Sequence, residues 1–132
     1  MKGNGKVKIL LVKHWMECHD RGVKSISMIL RDAGFEVIYI AYMNVQDIVT
    51  AAVQEDVDVI GMSFSTQAYD VQVPELIKRM KEQGLENVML LVGGLVPDED
   101  AAWLKKQGVT EVFGAGADTK QLIALLHTGV RK

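Results

Sequence analysis

Five short apolar runs alternate with amphipathic segments along the chain. The first, third and fourth runs are almost continuous in Val, Ile, Leu and Met, which is typical of strands buried on both faces of a parallel sheet. The predicted strands are Val7–Lys13, Val37–Tyr42, Val57–Ser63, Val88–Val92 and Glu111–Phe113.

The segments between these runs carry apolar residues at intervals of three and four, the period of a helix with one buried face. Gly34, Gly84 and Gly108 follow three of the segments and are expected to end the helices. Asn44 is the predicted N-cap of the second helix, and Pro74 is expected near the first turn of the third. The helical segments are predicted at 23–33, 45–53, 73–80, 98–107 and 118–127.

Five strand–helix units in series predict an α/β, flavodoxin-like (Rossmann-like) fold. This is a doubly wound five-stranded parallel sheet, strand order 2-1-3-4-5, with helices on both faces. With 132 residues, 48% of them hydrophobic, we expect one domain spanning 1–132. Ligands of such sheets bind beyond the carboxyl ends of the strands. The candidate loops are 14–20, 64–72, 93–97 and 114–117.

Charge and composition exclude several partners and locations. A net charge of −2 gives no electrostatic reason to bind nucleic acid or an anionic membrane. No apolar run approaches the roughly 18 residues of a membrane span, and the N-terminus lacks the apolar segment of a secretory signal. The single cysteine, Cys18, cannot form an internal disulfide, so a cytoplasmic location is expected.

Two common chemistries of this fold lack their residues here. A phospho-acceptor receiver domain needs an acidic pair after strand one, an Asp after strand three and a Lys after strand five. Those positions hold Lys13-His14, Ser63 and Phe113-Gly114. A flavin mononucleotide site needs a hydroxyl-rich phosphate loop after strand one, and this loop has no Ser, Thr or Gly before Gly22.

The stretch HWMECHDRG, His14–Gly22, crowds ligand-type side chains between the first strand and the first helix. Neutral imidazole is the commonest metal ligand in proteins, so His19 is a candidate ligand. Glu17 is placed to accept the proton of the other ring nitrogen, which would fix the tautomer. Asp20 is expected to cap the helix that begins at Arg21.

Other residues of this loop have ordinary interpretations. His14 lies at the strand end and is interpreted as a surface or interface histidine. Cys18 has no evident activating base, which favours an inert thiol. A zinc site of His14, Cys18 and His19 stays a minor alternative, because structural zinc normally takes four ligands. Trp15 favours an interface, whereas Trp103 is expected to cover the core from the fourth helix.

Three motifs together resemble those of a known family. Glu17-Cys18-His19-Asp20-Arg21-Gly22 resembles the Asp-x-His-x-x-Gly signature of cobalamin-binding domains. Ser63-Phe64-Ser65 falls at the family's Ser-x-Leu, and Gly93-Gly94 matches its Gly-Gly after strand four. The phrases HDRGVK, GFEV, VPELIK, VGG and PDED look most like the small or C-terminal cobalamin-binding part of methylmalonyl-CoA-type mutases. The resemblance extends from about Val7 to Leu126.

The resemblance implies a set of cofactor contacts. His19 would be the lower cobalt ligand, replacing the dimethylbenzimidazole of the cofactor. Glu17 would hold the other ring nitrogen of His19, and the lower corrin face would be lined by Met16, Cys18, Asp20, Arg21 and Gly22. The displaced benzimidazole would lie beside Ser63 and Ser65, and the nucleotide tail along Gly93, Gly94, Leu95, Val96, Pro97 and Gly114.

Three positions depart from the family's pattern. Glu17 replaces the signature Asp and is one methylene longer. Ser65 replaces the Leu of Ser-x-Leu and so removes an apolar contact. Ala117 ends a Gly114–Ala117 segment where the family has Gly-Pro-Gly-Thr, which removes a hydroxyl.

The function implied by the resemblance is that of a cobalamin-binding small subunit of an adenosylcobalamin-dependent acyl-CoA mutase, a radical isomerase. No segment looks like a coenzyme A site, so a separate large TIM-barrel subunit is expected, in a heteromer whose small subunit is inactive alone. One alternative is a corrinoid methyl carrier, disfavoured because only about six residues precede the first strand. The other is a non-catalytic cobalamin sensor or degenerate partner-binding module.

Overall fold

The computed structural model describes residues 6–14, 16, 21–64, 66–114 and 119–130, in which strands and helices alternate strictly. The strands are β1 (Lys8–His14), β2 (Glu36–Tyr42), β3 (Val59–Phe64), β4 (Met89–Gly94) and β5 (Glu111–Gly114). The helices are α1 (Arg21–Asp32), α2 (Val45–Glu55), α3 (Tyr69–Glu82), α4 (Asp98–Gln107) and α5 (Thr119–Gly129).

The five strands form a parallel sheet in the order β2-β1-β3-β4-β5, which confirms the predicted flavodoxin-like topology. The third strand begins at Val59, so its predicted start at Val57 is wrong. The Val57 N–H donates to the Ala52 carbonyl at 3.3 Å and so belongs to the turn after α2. Among the described helices, none has the length and apolar character needed to cross a membrane.

The helices cover the two faces of the sheet unequally. We call the side packed by α2, α3 and α4 the three-helix face, and the side packed by α1 and α5 the two-helix face. Successive side chains of a strand point to opposite faces. In β1, Leu10 and Val12 therefore face the three-helix side, while Ile9 and Leu11 face the two-helix side.

Local signals set several helix ends as predicted. Asn44 caps α2 in a capping box: its side chain accepts the Asp47 N–H at 3.2 Å, and the Asp47 carboxylate accepts the Asn44 N–H at 3.1 Å. The fourth helix has the predicted bounds and is followed by Gly108, whose φ of 127° favours glycine. The last helix runs to Gly129, two residues beyond its predicted end.

The third helix begins at Tyr69, so the prediction that Pro74 lies near its first turn is wrong. Tyr69 is buried on the three-helix face, and its hydroxyl donates to the Asp100 carboxylate of α4 at 2.6 Å. This contact anchors the helix start against α4. Pro74 cannot donate to the Asp70 carbonyl, and the helix continues past it in the second turn.

The Tyr69–Asp100 hydrogen bond predicts a pH-dependent stability. The hydrogen bond, burial and the charges of Asp100 and Asp70 raise the pKa of Tyr69 to about 12, from an ordinary 10.0. A raised folded-state pKa contributes stability that is complete below pH 10 and is lost as the pH rises through about 12. Tyr69→Phe should therefore lower the free energy of unfolding by about 1 kcal/mol at pH 8, and by less at pH 11.5.

Urea unfolding of wild type and variant across this pH range measures the difference. Tyr39→Phe on β2 is the matched control, because Tyr39 is not bonded to Asp100 and its variant should show no comparable loss at pH 8. If the difference in unfolding free energy between wild type and Tyr69→Phe stayed constant from pH 8 to 11.5, the hydrogen bond would not be coupled to ionisation of Tyr69.

Candidate functional site

The register of the sheet aligns the carboxyl ends of three neighbouring strands. Two rows cross β3, β4 and β5: Ser63, Gly93 and Phe113 form one, and Phe64, Gly94 and Gly114 form the next. Residues that are 20 or more positions apart along the chain are therefore neighbours at one edge, as expected for loops that follow neighbouring parallel strands.

The first row faces the two-helix side of the sheet. Val59 and Leu91 belong to the core on that side, and strand alternation places Ser63 and Gly93 on the same side. One of these residues has a hydroxymethyl group and the other has no side chain. This part of the face therefore carries little side-chain volume between β1 and β5.

The two-helix face is also less completely covered near this row. Leu11 and Leu91 keep 9% and 7% of their surface exposed, against 0% and 1% for Val12 and Val92 on the three-helix face. We call the space beside Ser63 and Gly93, floored by Leu11 and Leu91, the slot. Leu11 and Leu91 make this floor apolar, and Ser63 supplies a hydroxyl beside it.

The lack of a side chain has a different physical consequence at each of the two adjacent glycines. A Cβ on Gly94, whose φ is 117°, would lie 1.9 Å from the Phe64 carbonyl oxygen. That oxygen also accepts the Leu95 N–H at 3.1 Å, so the two strand ends are in close contact here. A Cβ on Gly93 would lie 3.4 Å from the Phe113 oxygen, which is ordinary contact. Gly94 is thus required by the backbone, whereas Gly93 leaves space in the slot.

Gly61 and Lys13 extend the slot region and were missed from the sequence. A Cβ on Gly61 would lie 2.8 Å from Leu11 Cδ2, so the glycine lets Leu11 lie across β3 as part of the floor. Lys13 is a buried residue two positions after Leu11, hence on the same face. The sequence signals that could have identified them are a lysine at the end of an apolar run and a glycine two residues before Ser63.

The described residues of the predicted site occupy the carboxyl edge. Ser63 and Gly93 border the slot, and Gly94 joins β4 to β3. The remaining described residues lie around them: Met16, Leu95, Pro97 and Gly114 are exposed, and Val96 is half-buried. The α1 helix begins at Arg21, where Asp20 was expected to cap it.

The predicted lower-ligand loop lies outside the described residues. This applies to Glu17, Cys18, His19, Asp20 and Ser65, and to Trp15 and Ala117. The alternative zinc site shares two of these residues. Within the described ranges, no group of three or more His, Cys, Asp or Glu residues could hold a metal ion.

The described residues also show where His14 and Trp103 lie. His14 is half-buried at the end of β1, and its ring lies edge-on to that of Tyr42. Trp103 is 38% exposed, so the expectation that it covers the core is wrong. Leu104 is the buried core residue of α4. Trp103 instead lines a shallow surface depression with Gln67, Tyr69, Asp70 and Asp100.

Comparison with known sequences identifies related proteins. The profile of the B12 binding domain matches residues 7–124. The 2-hydroxyisobutanoyl-CoA mutase small subunit of Aquincola tertiaricarbonis is 41% identical over 108 residues, 81% of this chain and 79% of that protein. The pivalyl-CoA mutase small subunit of Xanthobacter autotrophicus is 37% identical over 122 residues, 92% of this chain and 82% of that protein. Methylmalonyl-CoA mutase of Escherichia coli is 34% identical over 110 residues, which cover 83% of this chain but 15% of that protein.

Comparison with solved structures supports the fold. A cobalamin-binding protein from Desulfitobacterium hafniense superposes with a TM-score of 0.76 at 21% identity, covering 92% of this chain and 60% of that one. A receiver domain of a Francisella response regulator superposes with a TM-score of 0.70 at 14% identity, covering 92% and 94%. At such identities the likeness shows the fold alone, and the acidic residues needed for receiver chemistry are missing here.

The different roles of the two glycines predict different effects on folding. Gly94→Ala should lower the free energy of unfolding by about 2 kcal/mol or more, because an unfavourable φ and a clash with the Phe64 oxygen must both be relieved. Gly93→Ala, the matched control, should change it by less than about 0.5 kcal/mol. Urea unfolding measures both free energies. Equal losses would contradict the conclusion that the backbone requires glycine at position 94 but not at position 93.

Proposed function

The chain belongs to the B12-binding domain family, and from this premise we propose that it is the cobalamin-binding small subunit of an adenosylcobalamin-dependent acyl-CoA mutase. Two small subunits of acyl-CoA mutases, 41% and 37% identical over most of both chains, support the proposal. The enzyme would be an isomerase that acts in the cytoplasm. Bound adenosylcobalamin would supply the radical chemistry of the carbon-skeleton rearrangement, and the protein would bind and orient it.

The slot is the observation that carries the proposal. A cofactor tail that enters a protein needs a space that is already free of side chains, and the Ser63–Gly93 row leaves such a space on the less covered face. We propose that the nucleotide tail lies there, with the Ser63 hydroxyl bonded to the displaced benzimidazole. Gly93 and Gly94 would border the tail, followed by Leu95, Val96 and Pro97, with Gly114 on the neighbouring strand.

The lower face of the corrin would rest on the loop between β1 and α1. We propose that His19 is the cobalt ligand and that Glu17 accepts the proton of its other ring nitrogen, which raises the basicity of the ligand. The remaining contacts of this loop would come from Met16, Cys18, Asp20, Arg21 and Gly22, with Ser65 beside Ser63. Lys13, a buried cation on the slot side of β1, would add positive charge near the same loop.

A separate large subunit would hold the acyl-CoA over the upper face of the corrin. Four exposed apolar side chains support a docking surface at this edge: Met16, Met43, Val71 and Leu95, each between 61% and 70% exposed. Met16, Met43 and Leu95 follow β1, β2 and β4, and Val71 lies in the first turn of α3. We call them the apolar rim. Apolar side chains exposed along one edge of a sheet favour a protein contact, and we propose that a large TIM-barrel subunit covers them in a heteromer.

The proposal predicts how three variants bind hydroxocobalamin in a visible-spectrum titration. His19→Ala should remove the spectrum of imidazole-ligated cobalamin and weaken binding about 100-fold, since loss of even an outer-shell partner costs 10–100-fold. Gly93→Leu should weaken binding by a similar factor, because its side chain would fill the slot. His127→Ala, a histidine on α5, is the matched control and should bind as wild type does.

Each outcome is diagnostic. Wild-type affinity in Gly93→Leu would remove the slot from the site. A wild-type spectrum in His19→Ala would remove His19 as ligand. A wild-type chain that binds no cobalamin would contradict the proposed function and favour the degenerate partner-binding module.

The apolar rim predicts the effect of charge on assembly. Val71→Glu and Leu95→Glu should each weaken association with the large subunit about ten-fold, because a buried charge at an interface lacks a partner. Val53→Glu is the matched control: Val53 is 49% exposed but lies near the other end of α2. Sedimentation of the mixed subunits measures assembly, and equal effects of all three variants would contradict the rim as the contact.

A further inference from the structure

His14, the last residue of β1, is fixed on two sides. Its ring lies edge-on to the ring of Tyr42, with centroids 5.4 Å apart and planes at 90°. Its Nδ1 accepts the backbone N–H of Met16 at 3.2 Å. The side chain therefore joins the body of the sheet to the first part of the loop that follows.

Tyr42 is a rigid support for this ring. It is the register partner of His14 on β2 and is 1% exposed, within the core of the three-helix face. Its hydroxyl donates to Oε1 of Gln72 on α3. An aromatic edge contact with such a ring constrains the rotamer of His14.

The bond from His14 to Met16 has the form of an Asx turn. In that turn a side-chain acceptor at the δ position bonds the N–H two residues ahead and sets the direction of the chain. The side chain of His14 thus holds the backbone of Met16, the described residue of the loop that follows β1.

We propose that His14 is a positioning residue for the cobalt ligand: its bond to Met16 directs the loop that carries His19. The inference rests on the proposed function of His19 and deepens it. His14 itself touches neither the cofactor nor the substrate in this role. It would act by limiting the conformations of the loop before the cofactor binds. Less conformational entropy would then be lost when the imidazole binds the metal.

Three variants separate the ring of His14 from its acceptor atom. His14→Asn keeps an acceptor at the δ position and loses the ring. His14→Phe keeps a ring for Tyr42 and loses the acceptor. His14→Gln moves the acceptor to the ε position and so also removes the bond to Met16. It replaces His14→Phe in the test if that variant folds poorly. His127→Asn is the matched control for histidine loss elsewhere.

Two readouts are taken on the full chain. The first is amide hydrogen exchange of Met16 in the cofactor-free protein. The second is the affinity for hydroxocobalamin and the fraction bound with an imidazole lower ligand, from the visible spectrum. His14→Phe and His14→Gln should speed Met16 exchange and weaken binding, each about five-fold, as expected for one neutral hydrogen bond. His14→Asn should stay within about two-fold of wild type for both.

The outcomes distinguish this inference from the proposed function. A wild-type chain that binds cobalamin through His19, with His14→Phe equal to it in both readouts, overturns the role of His14 alone. Faster Met16 exchange with unchanged affinity also overturns it. A wild-type chain without imidazole-ligated cobalamin overturns the proposed function and this inference with it.

Discussion

The close contact between β3 and β4 at their carboxyl ends is the constraint on which the site depends. The Phe64 carbonyl approaches the backbone of Gly94 so closely that no Cβ fits, and it also accepts the Leu95 N–H. This contact belongs to the register that pairs Phe64 with Gly94. In the same register Ser63 lies beside Gly93. The slot therefore borders two small residues, and Gly93 leaves space there, whereas the backbone requires Gly94.

The two faces of the sheet divide stability and binding between them. On the three-helix face, residues such as Val12 and Val92 are fully covered, and polar contacts such as Tyr69–Asp100 join neighbouring helices. On the two-helix face, coverage is reduced where the slot lies. Incomplete packing at a binding site lowers stability, and a well-packed second core can offset that loss.

The fold could be predicted from the sequence because its signals are local. Apolar runs marked the strands, the strand–helix alternation gave the sheet order, and Asn44 marked a helix start. The start of α3 could not be predicted, because it depends on Tyr69 meeting Asp100 31 positions away. Gly93 and Gly94 are likewise indistinguishable as sequence, and only the register assigns one to the backbone and the other to the slot. The lower ligand His19 stays a prediction from the resemblance.

The most direct test is the electron paramagnetic resonance spectrum of cob(II)alamin bound to the chain with ¹⁵N-labelled histidine. Nitrogen bound axially to the metal splits the signal, into triplets for ¹⁴N and doublets for ¹⁵N. The account predicts doublets, because the imidazole of His19 is the ligand and the unlabelled benzimidazole lies in the slot. Triplets would show that the cofactor keeps its own benzimidazole on the metal and would contradict the account.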